Sequence, residues 1–171
     1  MLLVRPAENE KPPPADFSRI MVPLDGSALA EAILKPAVAL ARLWDAEISL
    51  IQIVHPLPYA AGVVGKPVRS TAPYHPIVSR RLDIAEAYLH RIAEHLRAQQ
   101  VSASSGAVVG TSVAETLIDS ARQERAGLIA LATHGRSGIR RFVLGSVADK
   151  LLRAADLPIL VHRPRRRGKG S

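Results

Sequence analysis

The sequence predicts an α/β fold: one doubly wound domain, with a five-stranded, mainly parallel sheet and helices on both faces. Three observations lead there. Five short apolar runs alternate with segments whose apolar residues recur every three or four positions, the pattern of strands joined by crossover helices. The fourth run, Leu128-Ile-Ala-Leu-Ala132, is apolar throughout, as a strand covered on both faces must be. The length of 171 residues suits a single core that buries about 70% of the unfolded surface.

Residues 1–17 hold Glu8, Glu10, Lys11 and the run Pro12-Pro13-Pro14, and read as a flexible leader because consecutive prolines propagate neither helix nor sheet. The domain then spans 18–163. Arg19-Ile-Met-Val-Pro-Leu24 is β1, a short buried strand. Asp25-Gly26-Ser27 follows, a turn with two side-chain oxygens able to cap a helix. Leu29, Ile33, Ala37 and Leu40 form the apolar face of α1, and Pro36 within it should cost a hydrogen bond and bend the axis. Glu47 to Val54 is β2.

From His55 to Pro76 there are five prolines, two glycines and no sustained period, which predicts a long loop. Leu82, Ala85, Leu89, Ile92 and Leu96 mark α2, whose opposite face of Arg80, Arg81, Glu86, Arg91, Glu94 and Arg97 is solvated. Val101 to Val109 is β3. Val113, Leu117 and Ala121 give α3, with Glu115 in an acidic first turn. Leu128–Ala132 is β4. Ser146-Val-Ala-Asp149 matches a capping box with Ser146 as the N-cap, and Val147, Leu151 and Ala155 continue α4. Pro158-Ile-Leu-Val161 is β5, and residues 164–171 form a basic tail.

Composition removes several function classes. Without cysteine there are no disulfides and no Cys-based zinc or iron–sulfur sites. No uncharged apolar stretch approaches the roughly 20 residues of a membrane span, and Met1-Leu-Leu-Val4 is too short for a signal-peptide core; a cytoplasmic protein is expected. Aromatic residues make up only 4%, against a stacking platform for single-stranded nucleic acid. The net charge of +8 is concentrated: the last nine residues carry five basic groups, and removing those five leaves +3 for the other 162. Such a tail supports weak, salt-sensitive contact with nucleic acid at most.

The loop after β4 carries the strongest chemical signal, Ala132-Thr-His-Gly135-Arg-Ser-Gly138-Ile-Arg-Arg-Phe-Val-Leu-Gly145-Ser146. Glycines allow close backbone approach, free N–H groups at the start of α4 favour anions, and Arg136, Arg140 and Arg141 add positive charge. The pattern suits phosphate; turn glycines and solvated arginines are the alternative. Other constellations fail. Gly65-Lys66 is followed by Pro67, so there is no P-loop, and no Gly-x-Ser-x-Gly elbow exists. His90 and His95 are five apart, off the four-residue ligand spacing, and no carboxylate pair suited to acid–base work lies near the phosphate loop.

The same loop resembles the universal stress protein family, whose nucleotide signature is Gly-x-x-Gly, nine residues, then Gly-Ser/Thr. Gly135, the nine residues 136–144, Gly145 and Ser146 match in register, while Ala132 replaces the first glycine and adds one methyl group. Ile20-Met-Val-Pro-Leu-Asp-Gly-Ser27, Gly110-Thr-Ser-Val-Ala-Glu115 and Pro158-Ile-Leu-Val161 are similar to that family's first strand and turn, β3–α3 turn and last strand. Gly127 departs from it, standing where an Asp usually opens β4.

The resemblance implies a strand order of 3-2-1-4-5, with β1 beside β4. It further implies that ATP binds, with Pro23, Leu24 and Asp25 at the adenosine end and Asp25 bonded to ribose or base. Ile53, Leu131 and Ala132 would wall the adenine, and Gly135, Arg136, Gly145, Ser146 and the Val147 N–H would hold the phosphates. From the residues alone, Asp25 is equally a helix-capping acid, Ile53 plain core, and Ser146 an N-cap. Any Mg2+ would be held mostly by the nucleotide. Assembly is expected as a homodimer, through antiparallel pairing of β5 over residues 157–163. The expected role is that of a nucleotide-responsive regulatory or protective protein with at most slow ATP hydrolysis. The rival is a nucleotide-free module that binds a protein or nucleic acid through its sheet edge and basic tail.

Overall fold

The computed structural model describes residues 2–3, 16–56, 76–133 and 145–164. Its strands are β1 (Arg19–Pro23), β2 (Glu47–Val54), β3 (Ala103–Val109), β4 (Leu128–Ala132) and β5 (Ile159–His162). The helices are α1 in two pieces (Ala28–Glu31 and Leu34–Trp44), α2 (Pro76–Ala98), α3 (Val113–Gln123) and α4 (Ser146–Ala154). The five strands are parallel to their neighbours and stand in the order 3-2-1-4-5. A further strand, Leu2–Leu3, lies antiparallel on the outer edge of β5, Leu2 opposite Leu160 and Leu3 opposite Ile159. Part of the segment read as a flexible leader therefore joins the sheet. The prolines at 12–14, most of the Pro-rich loop and the tail from 165 lie outside the described residues.

Alternation along the strands divides the apolar residues between two cores. Ile20, Val22, Ile48, Leu50, Leu128 and Ala130 face α1 and α2, where Ile33, Ala37, Leu89 and Ala93 meet them. Met21, Ile51, Ile129, Leu131, Ile159 and Val161 face α3 and α4, against Leu117, Ala121, Ala148 and Leu151. Burial on both faces is why these strands read as continuous apolar runs.

Local differences from the sequence expectation have physical reasons. Pro36 interrupts α1. It occupies the first turn of the Leu34–Trp44 piece, where a missing N–H costs nothing, and the break falls at Ala32-Ile33, just where its ring would oppose the carbonyl of residue 32. Helix α2 begins at Pro76, several residues before its apolar period, because proline is well tolerated at a first helical position. Helix α4 is capped by Gly145 rather than Ser146, and the Asp149 N–H donates to the Gly145 carbonyl. Asp149 itself bonds Arg153 instead of closing a capping box. No described helix is long and apolar enough to cross a membrane.

Candidate functional site at the carboxyl end of the sheet

The parallel order puts β1 and β4 side by side at the point where the chain reverses its winding direction, the position at which such sheets open a ligand crevice. The pairing itself shows the opening. β1 and β4 are in register only at Ile20–Leu128 and Met21–Ile129. Beyond that β1 continues against β2 as far as Pro23–Ile51, and the Leu24 N–H donates to the Ile51 carbonyl at 2.9 Å. Over the same stretch β4 continues against β5 as far as Ala132–His162. The two strands part, each held by its outer neighbour.

Asp25 is exposed on the β1 side of this split. One carboxylate oxygen, Oδ1, accepts from the Ser27 N–H at 2.9 Å, while Ser27 Oγ caps the following turn by accepting from the Ala30 N–H. Gly26, at φ 82°, makes the left-handed step that this turn requires. The capping role open for Asp25 thus falls to Ser27, and Oδ2 of Asp25 has no partner among the described residues. Nearby, the Tyr88 hydroxyl donates to Glu31 Oε1 at 2.9 Å; burial first, then Glu31, push that phenol above its ordinary range.

On the β4 side, Leu131 is buried toward the α3/α4 core, with Ile53 and Val147 packed at its margin. Leu24 is buried in the opposite core, so it offers the split its backbone rather than its side chain. Ala132 packs its methyl group against that same core. Pro23 is half-buried at the end of β1. Gly135 and Arg136 lie outside the described residues.

Gly145 has φ −58°, which any residue adopts, and among the described residues an added Cβ would meet only Thr133 Oγ1, at 3.5 Å. Neither backbone strain nor a neighbour among the described residues demands glycine there. Ser146, at the first helical position rather than the cap, is exposed, and its hydroxyl has no partner among the described residues. The N–H groups of Ser146 and Val147, like those at any helix start, lack an acceptor within their own helix.

Thr133 was not legible as a site residue. Its side chain is buried, and Oγ1 accepts from the Gly145 N–H at 3.4 Å, joining the end of β4 to the start of α4 across twelve positions of sequence. A hydroxyl residue directly after a strand was the only available signal. The geometry as a whole combines a carboxylate oxygen and a helix-start hydroxyl that have no partner among the described residues with an apolar margin, a set suited to a ligand with a hydrogen-bonding group, an apolar body and an anionic end.

Comparison with known proteins agrees with this architecture. The model of the Universal stress protein family matches residues 16–163. A universal stress protein of Methanocaldococcus jannaschii is 27% identical over 146 residues, covering 85% of this chain and 81% of that one. The crystal structure of a universal stress protein family member from Burkholderia pseudomallei is 26% identical, with a TM-score of 0.64, covering 88% of this chain and 98% of that one. Two more distant structures share the fold and contain adenine nucleotides. One, from Archaeoglobus fulgidus in complex with dAMP, is 20% identical with a TM-score of 0.59 over 85% of this chain and 98% of its own. The other, in complex with cAMP, is 19% identical with a TM-score of 0.58 over 86% of this chain and 98% of its own.

Proposed function

The chain belongs to the universal stress protein family, and we propose that it binds ATP in the β1/β4 split and acts as a nucleotide-responsive regulatory or protective protein. The observation that carries this reading is the early end of β1–β4 pairing at Met21–Ile129, directly below Asp25 on one side and Thr133 and Gly145 on the other. Asp25 Oδ2 is the acceptor for the nucleoside end. Ile53, Leu131 and Ala132 form the apolar margin for the base. Gly145, Ser146 and the Val147 N–H, with Gly135 and Arg136 from the adjoining loop, take the phosphates. The complexes of relatives with dAMP and cAMP support an adenine nucleotide as the ligand class. Among the described residues no group of three or more His, Asp or Glu could hold a metal, so a Mg2+ ion would arrive on the phosphates.

The same reading includes a homodimer through β5, whose Ile159–His162 strand carries no Asp, Glu, Lys, Arg or Pro; Leu2–Leu3, which lies along that edge opposite Leu160 and Ile159, would have to give way to the second copy. The direct test of the nucleotide reading is release: denaturing the purified protein and analysing the supernatant by mass spectrometry should give an adenine nucleotide. Protein that carries none, and that takes up none when ATP is added, would end this reading.

A further inference from the structure

The turn that carries Asp25 has little of the core beneath it. None of the four residues in the Ala28–Glu31 piece of α1 is buried, and Ala30 packs only at the margin of the α1/α2 core. Inside the turn the bonds are local. Asp25 Oδ1 accepts from the Ser27 N–H, Ser27 Oγ from the Ala30 N–H, and the Ser27 carbonyl from the Glu31 N–H at 3.1 Å. Among the described residues, the side-chain bond that ties residues 25–31 to another element runs from the Tyr88 hydroxyl on α2 to Glu31 Oε1, at 2.9 Å. We propose that Tyr88 is a positioning residue of the β1/β4 split: through Glu31 and Ser27 it braces the turn on α2 and so holds the Asp25 carboxylate where the nucleoside end of the ligand meets it. The proposal rests on the nucleotide reading given above, and adds to it a residue 57 positions beyond Glu31 in the sequence.

The two partners of this bond differ in how firmly they are held. Helix α2 is 23 residues long and buries Val78, Ala85, Leu89, Ala93 and Leu96, and the Tyr88 ring packs against the same core. The piece of α1 that carries Glu31 is a single turn. A bond from an anchored helix to an unanchored turn restrains the turn. Burial first, then the bond and charge of Glu31 and the charge of Asp25, push the Tyr88 phenol up, so it stays protonated and remains the donor. A site whose parts are in place only part of the time loses affinity by that fraction. A bond to a charged group shifts such a local equilibrium roughly thirtyfold. A turn in place about nine-tenths of the time with the bond is then in place about a quarter of the time without it, a loss of about fourfold in affinity.

Calorimetric titration of ATP into the full-length parent, Tyr88→Phe, Glu31→Gln, Asp25→Ala and Asp25→Ala with Tyr88→Phe tests this. Tyr88→Phe keeps the ring and loses only the donor, so Kd should rise about fourfold with unchanged circular dichroism. Glu31→Gln keeps an oxygen for the Tyr88 hydroxyl and should retain most of the parent's affinity. In the Asp25→Ala background Tyr88→Phe should cause no further loss, because the group that it positions is gone. A role in stability alone would not depend on Asp25 in this way. Without nucleotide, amide hydrogen exchange followed by NMR should be faster at Ala30 and Glu31 in Tyr88→Phe than in the parent. Parent-like affinity or unchanged exchange in Tyr88→Phe, or an equal loss of affinity with and without Asp25, would overturn the positioning role while leaving the nucleotide site. A parent that binds no ATP would overturn the nucleotide reading and this proposal together.

Discussion

At the amino end of the sheet, Arg19, Glu47, Ser49, Ser104 and Glu124 bond to one another; at the carboxyl end, Asp25 and Ser146 keep polar atoms with no partner among the described residues. The amino end is a closed network. Arg19 donates to Glu47 Oε2 at 2.7 Å and to the Glu124 carbonyl at 3.0 Å, where its charge also suits the C-terminus of α3. The buried Ser49 hydroxyl donates to the Glu124 carboxylate. Hydrogen bonding from Ser104, and then the bond and charge of Arg19, hold Glu47 below its ordinary carboxylate value against the opposing effect of burial. Similar residue types at the other end, Asp25 and Ser146, are exposed and leave polar atoms without a partner among the described residues. Polar atoms that satisfy each other fix the fold, whereas polar atoms left open in a strand split are available to a ligand.

The largest expected effect concerns the amino end. A Cβ on Gly127 would lie 1.8 Å from the Asp16 carbonyl oxygen, so Gly127→Ala must displace residues 16–17 and loosen the Phe17–Trp44 stack, whose rings are 4.6 Å apart. Overpacking of this kind should cost about 3 kcal/mol, read as a drop of roughly 6–12 °C in Tm, with nucleotide affinity preserved. At the carboxyl end, Asp25→Asn keeps an oxygen for the Ser27 N–H but removes the charge, so stability should hold. Its ATP affinity should fall by about 1.5–3 kcal/mol, tenfold to roughly a hundredfold by calorimetry. The two substitutions together separate folding from binding; a stability loss at Asp25→Asn equal to that at Gly127→Ala would erase the contrast between the ends.

Most of the fold was legible because its signals are periodic. Apolar runs and helical faces located every parallel strand and every helix among the described residues, and the five-strand alternation survives in the sheet. What was not legible is set by contacts distant in sequence. Gly127 reads as a departure from the family pattern, and only the structure shows why it is small: the Gly127 N–H donates to the Arg19 carbonyl while the backbone of Asp16 and Phe17 crosses above it. Thr133 meets Gly145 through a bond that no local period encodes. The Leu2–Leu3 pairing with β5 escaped because two residues carry no measurable periodicity. The position of the break that accompanies Pro36 was not legible, because sequence alone does not fix which turn of a helix a proline occupies.

Smaller effects sharpen the picture of the amino end. Ser49→Ala removes the donor to Glu124 from a buried site and should cost about 1 kcal/mol in chemical denaturation, with no change in ATP binding. Glu47→Gln should cost less, below about 1 kcal/mol, because both members of its pair with Arg19 are partly exposed. Its signature is pH dependence. Glu47 is lowered in the folded state, so its contribution is complete above its ordinary 4.5 and is lost as the pH falls through the lower folded value. Unfolding curves of the parent and Glu47→Gln should therefore converge in acid; a gap that widens on acidification would show that Glu47 is not held ionised by its partners.

The central claim, that the carboxyl-end split is a nucleotide site, is tested most directly by calorimetric titration of ATP into the parent and into Gly145→Val. With φ at −58° and Thr133 Oγ1, at 3.5 Å, the only neighbour among the described residues, the variant should fold, which the circular dichroism of Gly145→Val checks beside the titration. Saturable binding to the parent and none to the folded variant is the predicted result. A parent that binds no ATP, or a folded Gly145→Val that binds as tightly as the parent, would contradict it.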